Sequence, residues 1–291
     1  MGAGHTRVAI VVDSAASLPA NADQDAQLYI APMQLVIEGR TYADGRDMTP
    51  DEFYRRLETM SEPASTASPS PETFLDAFKA ASENASRVLC ITVSPRFSSS
   101  YDAAATAARL AKESLPRLEI ALLDSESAAG GEGLVVTEAL RAARRGGTLE
   151  VVAQAARKVA RNVSLLAFLD TLYFVWRSGR VRRLEYAGAS LLKLKPMLEL
   201  SRGEVHGVAR PRTRPRATLR VLKMMHQRTG SELIHACVVH GGCPEDAEEL
   251  MRTVESEFNC DELYVSQFSP VMGAHTGPGL LGVAFWTEAS V

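Results

Sequence analysis

The sequence predicts an α/β protein of two domains, an N-terminal domain on a parallel sheet over residues 7–155 and a second α/β domain over residues 156–287. Three observations predict it. Continuous apolar runs at residues 8–12, 88–93 and 120–123 end in Asp13-Ser14, Ser94-Pro95 and Asp124-Ser125. That is the pattern of buried parallel strands opening into loops. Helix-period segments alternate with these runs. A length of 291 residues also fits two moderate domains better than one.

The elements follow in order. Residues 51–60 place Phe53, Leu57 and Met60 on one helical stripe, and residues 101–115 are alanine-rich, a strong helix former. Residues 133–145 repeat Leu134, Ala139 and Ala142 and stop at Gly146-Gly147. A helix over 149–163 turns Val152, Ala156 and Val159 inward, and a strand follows at 164–169. Gly179 marks a turn in the basic stretch 177–183. Helices are expected at 216–228, with Leu219, Leu222 and Met225 aligned, and at 244–258, with Ala247, Leu250, Val254 and Phe258 aligned. Strands at 234–240, 263–268 and 280–286 complete the second domain.

Composition removes several classes of function. With 32 Lys plus Arg against 35 Asp plus Glu, the net charge of -3 argues against a general cationic nucleic-acid surface. The dense basic run from Arg210 to Arg216 is local, and no nucleic-acid partner is expected. Apolar stretches reach about seven residues, whereas a spanning helix needs about 20, so a cytoplasmic protein is expected. The four cysteines show no CxxC pair or zinc spacing. Cys90 and Cys237 lie in strand-like runs and read as small core hydrophobes. No metal-ligand set, GxSxG elbow or lysine-bearing phosphate loop stands out, and no GxGxxG follows the first strand, which gives no support to metal, nucleotide or nicotinamide chemistry.

Candidate chemistry gathers at the strand ends, where open parallel sheets bind ligands. Asp13 and Ser14 close the first run. Ser98, Ser99 and Ser100 precede a helix, where hydroxyls and free amides can either receive an anion or cap the helix. Residues 65–72 read as a turn-like stretch before an apolar helix that Ser70 and Pro71 would start. Thr66 lies upstream of the capping positions and is free to face a cleft. His275, Thr276 and Gly277 belong to a glycine-rich loop before the last strand, where His275 can donate to a carboxylate or accept a proton. Ser98 and His275 with Asp13 or Asp124 also have the residue types of a hydrolase triad, which the missing elbow sequence disfavours.

Seven segments in order resemble the DegV family, from about Arg7 to Trp286. They are Val12-Asp13-Ser14 with Leu18-Pro19, Thr66-Ala67-Ser68-Pro69-Ser70, Phe97-Ser98-Ser99-Ser100-Tyr101, Leu123-Asp124-Ser125, Arg177-Ser178-Gly179-Arg180, Leu194-Lys195-Pro196 and Gly273-Ala274-His275-Thr276-Gly277-Pro278-Gly279. The family includes the fatty-acid-binding B subunit of bacterial fatty acid kinase. The resemblance implies two α/β domains with one long-chain fatty acid between them as ligand, no cofactor and no active site of its own. It implies that Thr66, Ser98 and His275 hold the carboxylate, with Asp13, Ser14, Ser99, Ser100, Thr276 and Gly277 supporting the loops. It further implies a separate ATP-binding fatty acid kinase subunit as partner, which phosphorylates the carboxylate to an acyl phosphate for phospholipid metabolism.

Arg180 and Arg210 are the expected contacts to that partner or to phosphate. Arg177, Arg182, Arg183, Arg212, Arg214 and Arg216 could serve the same docking or a transient contact with an anionic membrane. The sequence departs from the family's usual pattern at Ala67-Ser68, at Ser99 in place of glycine, and at Ser178 before Gly179. These departures keep open a different amphiphilic carboxylate or lipid, bound without a kinase partner.

Overall fold

Unbroken apolar strands need cover on both faces, and the computed structural model, which describes residues 7–57, 59–60, 62–180 and 194–288, supplies it in layers. Strands β1 (Val8–Asp13), β2 (Leu28–Ala31), β6 (Arg87–Thr92) and β7 (Glu119–Asp124) form a parallel sheet in the order β2-β1-β6-β7. Along β1 the side chains alternate, so Ala9 and Val11 face one way and Val8, Ile10 and Val12 the other. Helices α2 (Pro71–Ser82) and α3 (Ser100–Ser114) cover the first face with Phe74, Phe78, Ala104 and Ala107. Ser70 caps α2 by accepting the Thr73 N–H at 3.2 Å, and Pro71 takes the first helical position, where its missing N–H costs nothing.

Helices α4 (Ala129–Arg144) and α5 (Leu149–Asn162) cover the second face and at the same time pack on the C-terminal sheet. α4 is therefore buried all round rather than along the single stripe read from the sequence, and it starts four residues before the expected residue 133. Glycine permits this: a Cβ at Gly130 would lie 2.8 Å from Val239 of the second sheet. α5 runs through residue 155 and ends at Asn162.

The second sheet has the order β10-β9-β8-β13-β11-β12, with β8 (Ser164–Phe168), β9 (Met197–Ser201), β10 (Glu204–Ala209), β11 (Ile234–His240), β12 (Cys260–Gln267) and β13 (Leu281–Thr287). β11 and β12 run parallel, and the remaining pairs are antiparallel. Helices α7 (Arg214–Thr229) and α8 (Pro244–Glu257) cover its outer face. Ala217, Val221, Leu222 and Met225 face inward from α7, whereas Leu219, expected in the inward stripe, is 67% exposed. Leu222 and Met225 face inward as expected, and Ala217 and Val221 complete the stripe in place of Leu219.

A small antiparallel sheet, β4-β3-β5, was not read from the sequence. It comprises β3 (Gln34–Ile37), β4 (Arg40–Ala43) and β5 (Ser65–Ala67). The residues read as turn-like around Thr66 are thus a strand. Helix α1 (Pro50–Leu57) ends before Met60, with Phe53 fully buried. The short helices α6 (Tyr173–Ser178) and α9 (Pro270–Thr276) were also unexpected, and Gly179 ends α6 in the left-handed region at φ 67°. Arg182 and Arg183 lie outside the described residues. Cys90 and Cys237 are buried, and burial pushes both thiols up, so they are packing residues as read. No helix among the described residues is long and apolar enough to cross a membrane.

Candidate functional site

An apolar cleft of about 160 Å³ lies between the sheets. One wall is the edge of the second sheet: Leu165, Ala167 and Leu169 from β8 and its end, Leu198 and Leu200 from β9, and Val205 from β10. The register sets Leu165, Leu200 and Val205 in one row and Ala167 beside Leu198 in the next. The spacing of two is the inward half of each strand's alternation. Ala15, Val93, Ala128 and Ala129 line the cleft from the first domain, and their small side chains leave its volume unfilled.

The polar lining is contiguous. Thr66 reaches the cleft from β5, and its Oγ1 lies 2.8 Å from His275 Nε2 on α9. Ser68, two residues on, has its Oγ 2.9 Å from that of Ser99. Ser98 lines the cleft while its Oγ accepts the Ser100 N–H at 3.2 Å, so it anchors the helix start and faces the cavity at once. Ser99 takes φ -85°, an ordinary value, so its Cβ in place of glycine brings no backbone strain. Thr276 also lines the cleft and donates to the Met272 carbonyl at 3.0 Å.

His275 sits on a helix, where a loop was expected. Burial in the cleft and the Arg180 guanidinium both disfavour its cationic form and hold the imidazole down at about 4. The ring is therefore neutral near pH 7, with one nitrogen a donor and the other an acceptor. Arg180 lines the cleft from beyond Gly179, and its Nη1 donates to the Ser178 carbonyl at 2.7 Å.

Other sequence-predicted residues do not reach the cleft. Asp13 is fully buried: Oδ1 accepts the Ala15 N–H and Oδ2 the Val93 N–H, each at 3.0 Å, and Ser100 adds a hydroxyl. Burial still raises its carboxyl to about 6, because the loss of water outweighs these bonds. Ser14 accepts the Met33 N–H at 3.0 Å and donates to Asp44 at 2.6 Å. Neither Asp13 nor Ser14 lines the cleft, nor do Ser99 and Ser100. Gly277 (φ 73°) ends α9, and a side chain there would strike the Phe174 ring, so its role is packing.

Arg210 is exposed just beyond β10 and does not line the cleft. Arg214 is the clear departure from a solvent-facing docking arginine. It pairs with Asp170 at 2.9 Å and with Asp246, and donates to the Gly279 carbonyl at 2.7 Å. The sequence reading missed the β8–β10 wall as a ligand surface, although the alternation Leu165-Ala167-Leu169 was a signal for it. It also missed Ser178 and Val175 of α6, which line the cleft. Among the described residues no cluster of three or more His, Cys, Asp or Glu can hold a metal ion.

This architecture recurs in known proteins. A DegV domain-containing protein of Streptomyces coelicolor is 31% identical over 278 residues, covering 95% of this chain and 97% of that one. A Thermus thermophilus structure described as fatty acid binding by a DegV family protein superposes with a TM-score of 0.86 at 28% identity, covering 97% of this chain and 99% of the other. A stearic-acid-binding protein of Eubacterium ventriosum does so with a TM-score of 0.86 at 26% identity, covering 96% and 98%. The family model of the uncharacterised DegV proteins matches residues 7–288. With its paired sheets, its interlayer cleft and that match across almost its whole length, the chain belongs to the DegV family.

Proposed function

We propose that the protein binds one long-chain fatty acid, with the acyl chain in the interlayer cleft and the carboxylate against Thr66, Ser98 and His275. The observation that carries this reading is the cleft itself, apolar along its length with the Thr66–His275 pair among its few polar lining groups. The fatty-acid binding described for the Thermus and Eubacterium proteins supports it. Each buried methylene contributes about 0.8 kcal/mol, so about fifteen give roughly 12 kcal/mol before ordering costs. A carboxylate cannot follow the chain inside unpaired. Thr66 can accept from a neutral His275 Nε2–H and donate its own hydroxyl proton to the carboxylate, and Ser98 offers a second hydroxyl.

These groups bind an anion without placing another carboxylate beside it. That suits a carrier whose ligand must meet a nucleotide phosphate. On this reading the protein is a non-catalytic cytoplasmic partner of an ATP-dependent kinase subunit. The ligand carboxylate oxygen attacks the γ-phosphorus and ADP leaves, giving the acyl phosphate. Arg180 at the cleft and Arg210 on the surface are the charges available to that partner. Tyr173 and Trp176, 38% and 51% exposed on α6 beside Arg177, offer an amphipathic face for transient contact with an anionic membrane.

Thr66→Ala tests the head-group assignment. Loss of a hydrogen bond to a charged group predicts stearate affinity reduced about tenfold with little change in stability. Unchanged affinity would remove Thr66 from the site.

A further inference from the structure

Helix α9 carries His275 but belongs to neither large sheet, and its seven residues are too few to fix a side chain by helix stability alone. It is held from outside at both ends, by different halves of the chain. At its start, Pro270 has no N–H, and Ser269 accepts the Met272 N–H at 3.4 Å. The Val271 N–H goes to Asp44 Oδ1 at 3.0 Å, across 227 residues of sequence. Asp44 is only 3% exposed. Its Oδ2 accepts the Ser14 hydroxyl, whose oxygen accepts the Met33 N–H. The start of α9 is thereby tied to the loop after β1 and to the chain leading into β3.

Beyond its other end, the Gly279 carbonyl accepts from Arg214 Nη1 at 2.7 Å, and the Gly279 N–H donates to the Gly241 carbonyl at 2.7 Å. Arg214 is itself fixed by Asp170 and Asp246, and Lys195 holds Asp170 at 2.7 Å. Between the two anchorages Gly273 packs against α1 so closely that a Cβ there would lie 2.8 Å from Phe53 and from the Tyr54 hydroxyl.

We infer that Asp44 and Arg214 are positioning residues that clamp α9 from the two halves of the molecule and so set the His275 imidazole against Thr66. This rests on the fatty-acid reading for its functional consequence, but the placement of His275 can be read without any ligand. The clamp joins a buried acceptor to a helix-start N–H and an arginine fork to a loop carbonyl, both charge-assisted bonds. Releasing either end lets the imidazole wander from the hydroxyl while both sheets stay intact.

The test uses the full chain, lipid-free, with the His275 ring signals recorded by NMR, followed by titration with stearate. Asp44→Ala and Arg214→Met should shift or broaden the His275 signals and lower stearate affinity about tenfold. Asp44→Asn keeps one acceptor and Arg214→Lys one donor, and both should recover much of each readout. Phe78→Leu, in the core between the first sheet and α2, should lower the melting temperature but leave the His275 signals and the affinity unchanged. Should Asp44→Ala fail to fold, Asp44→Asn and the two Arg214 variants carry the same test. Wild-type His275 signals in the clamp variants, or equal perturbation by Phe78→Leu, would overturn the inference. Perturbed His275 signals in a protein that takes up no stearate would uphold the clamp and remove the fatty-acid reading.

Discussion

Asp13 closes strand β1 and Thr66 lies within strand β5, each beside further polar residues, yet the fold uses them in opposite ways. Asp13 is fully buried with both oxygens engaged by backbone amides, and it ties the end of β1 to the end of β6. Thr66 is half-buried, lies against His275 and still faces the cleft. The difference is residual hydrogen-bonding capacity. A carboxylate whose lone pairs are taken by buried N–H groups is a structural tie. A hydroxyl or neutral imidazole beside an unfilled apolar space can still bind. Ser98 stands between the two, bonded to the start of α3 and exposed to the cleft.

Removing the Asp13 tie should have the largest effect. Asp13→Ala leaves the Ala15 and Val93 amides without their acceptor and should cost about 2–3 kcal/mol of stability in denaturant unfolding. A loss well under about 1 kcal/mol would show that the carboxylate is dispensable. His275→Ala should do the reverse, lowering stearate affinity by more than the tenfold expected of Thr66→Ala while the unfolding midpoint moves little. The two residues should also couple in a double-mutant cycle, because they share one hydrogen bond. Strict additivity would separate them.

Glu132 sharpens the contrast as a buried carboxyl with neither tie nor cleft. It is fully buried in α4, and neither oxygen has a hydrogen-bond partner among the described residues. Burial, helped by the charges of Asp13 and Asp124, pushes it well above its usual value of 4.5. The folded chain therefore keeps a proton that the unfolded chain loses above about 4.5, and stability falls as pH rises from there. Glu132→Gln should gain stability over the wild type by an amount that grows with pH above about 4.5. A difference constant with pH would contradict the assignment.

A smaller effect concerns His275 itself. A bound carboxylate stabilises the imidazolium and raises its pKa from about 4. Binding then takes up protons, and affinity rises as pH falls from neutrality toward that value. Calorimetry near about pH 6 in two buffers of different ionisation enthalpy should show fractional proton uptake that disappears in His275→Gln. Buffer-independent heats would show that the ring stays neutral in the complex.

Much of this was legible in the sequence because it depends on local chemistry. The buried strand runs, the Ser70-Pro71 helix start and the packing role of Cys90 and Cys237 each follow from a few neighbouring residues. Thr66 and His275 were singled out as candidates, but the bond between them joins residues 209 positions apart. No periodicity encodes such a contact. α9 was hidden because Gly277, Pro278 and Gly279 directly after it made the whole segment read as a turn, and Asp44 and Ser269 supply from outside what so short a helix lacks. β5 was hidden because three residues are too few to show strand alternation and only Thr66 among them favours a strand, and pairing with Leu35 and Val36 of β3 decides the matter. Arg214 sat in a basic run that read as a docking surface, and only the fold brings Asp170 and Asp246 to it.

The proposed function stands on one fatty acid held in the cleft by its carboxylate at Thr66 and His275. Native mass spectrometry of the purified chain, offered an equimolar panel of saturated and unsaturated long-chain acids, tests it most directly. Extraction and lipid analysis would identify the bound mass, and the Thr66→Ala/His275→Ala double variant would be run in parallel. A single acid bound per wild-type chain and marked loss of occupancy in the double variant are expected. A wild-type chain that takes up none of the panel, or a double variant as fully loaded as the wild type, would contradict it.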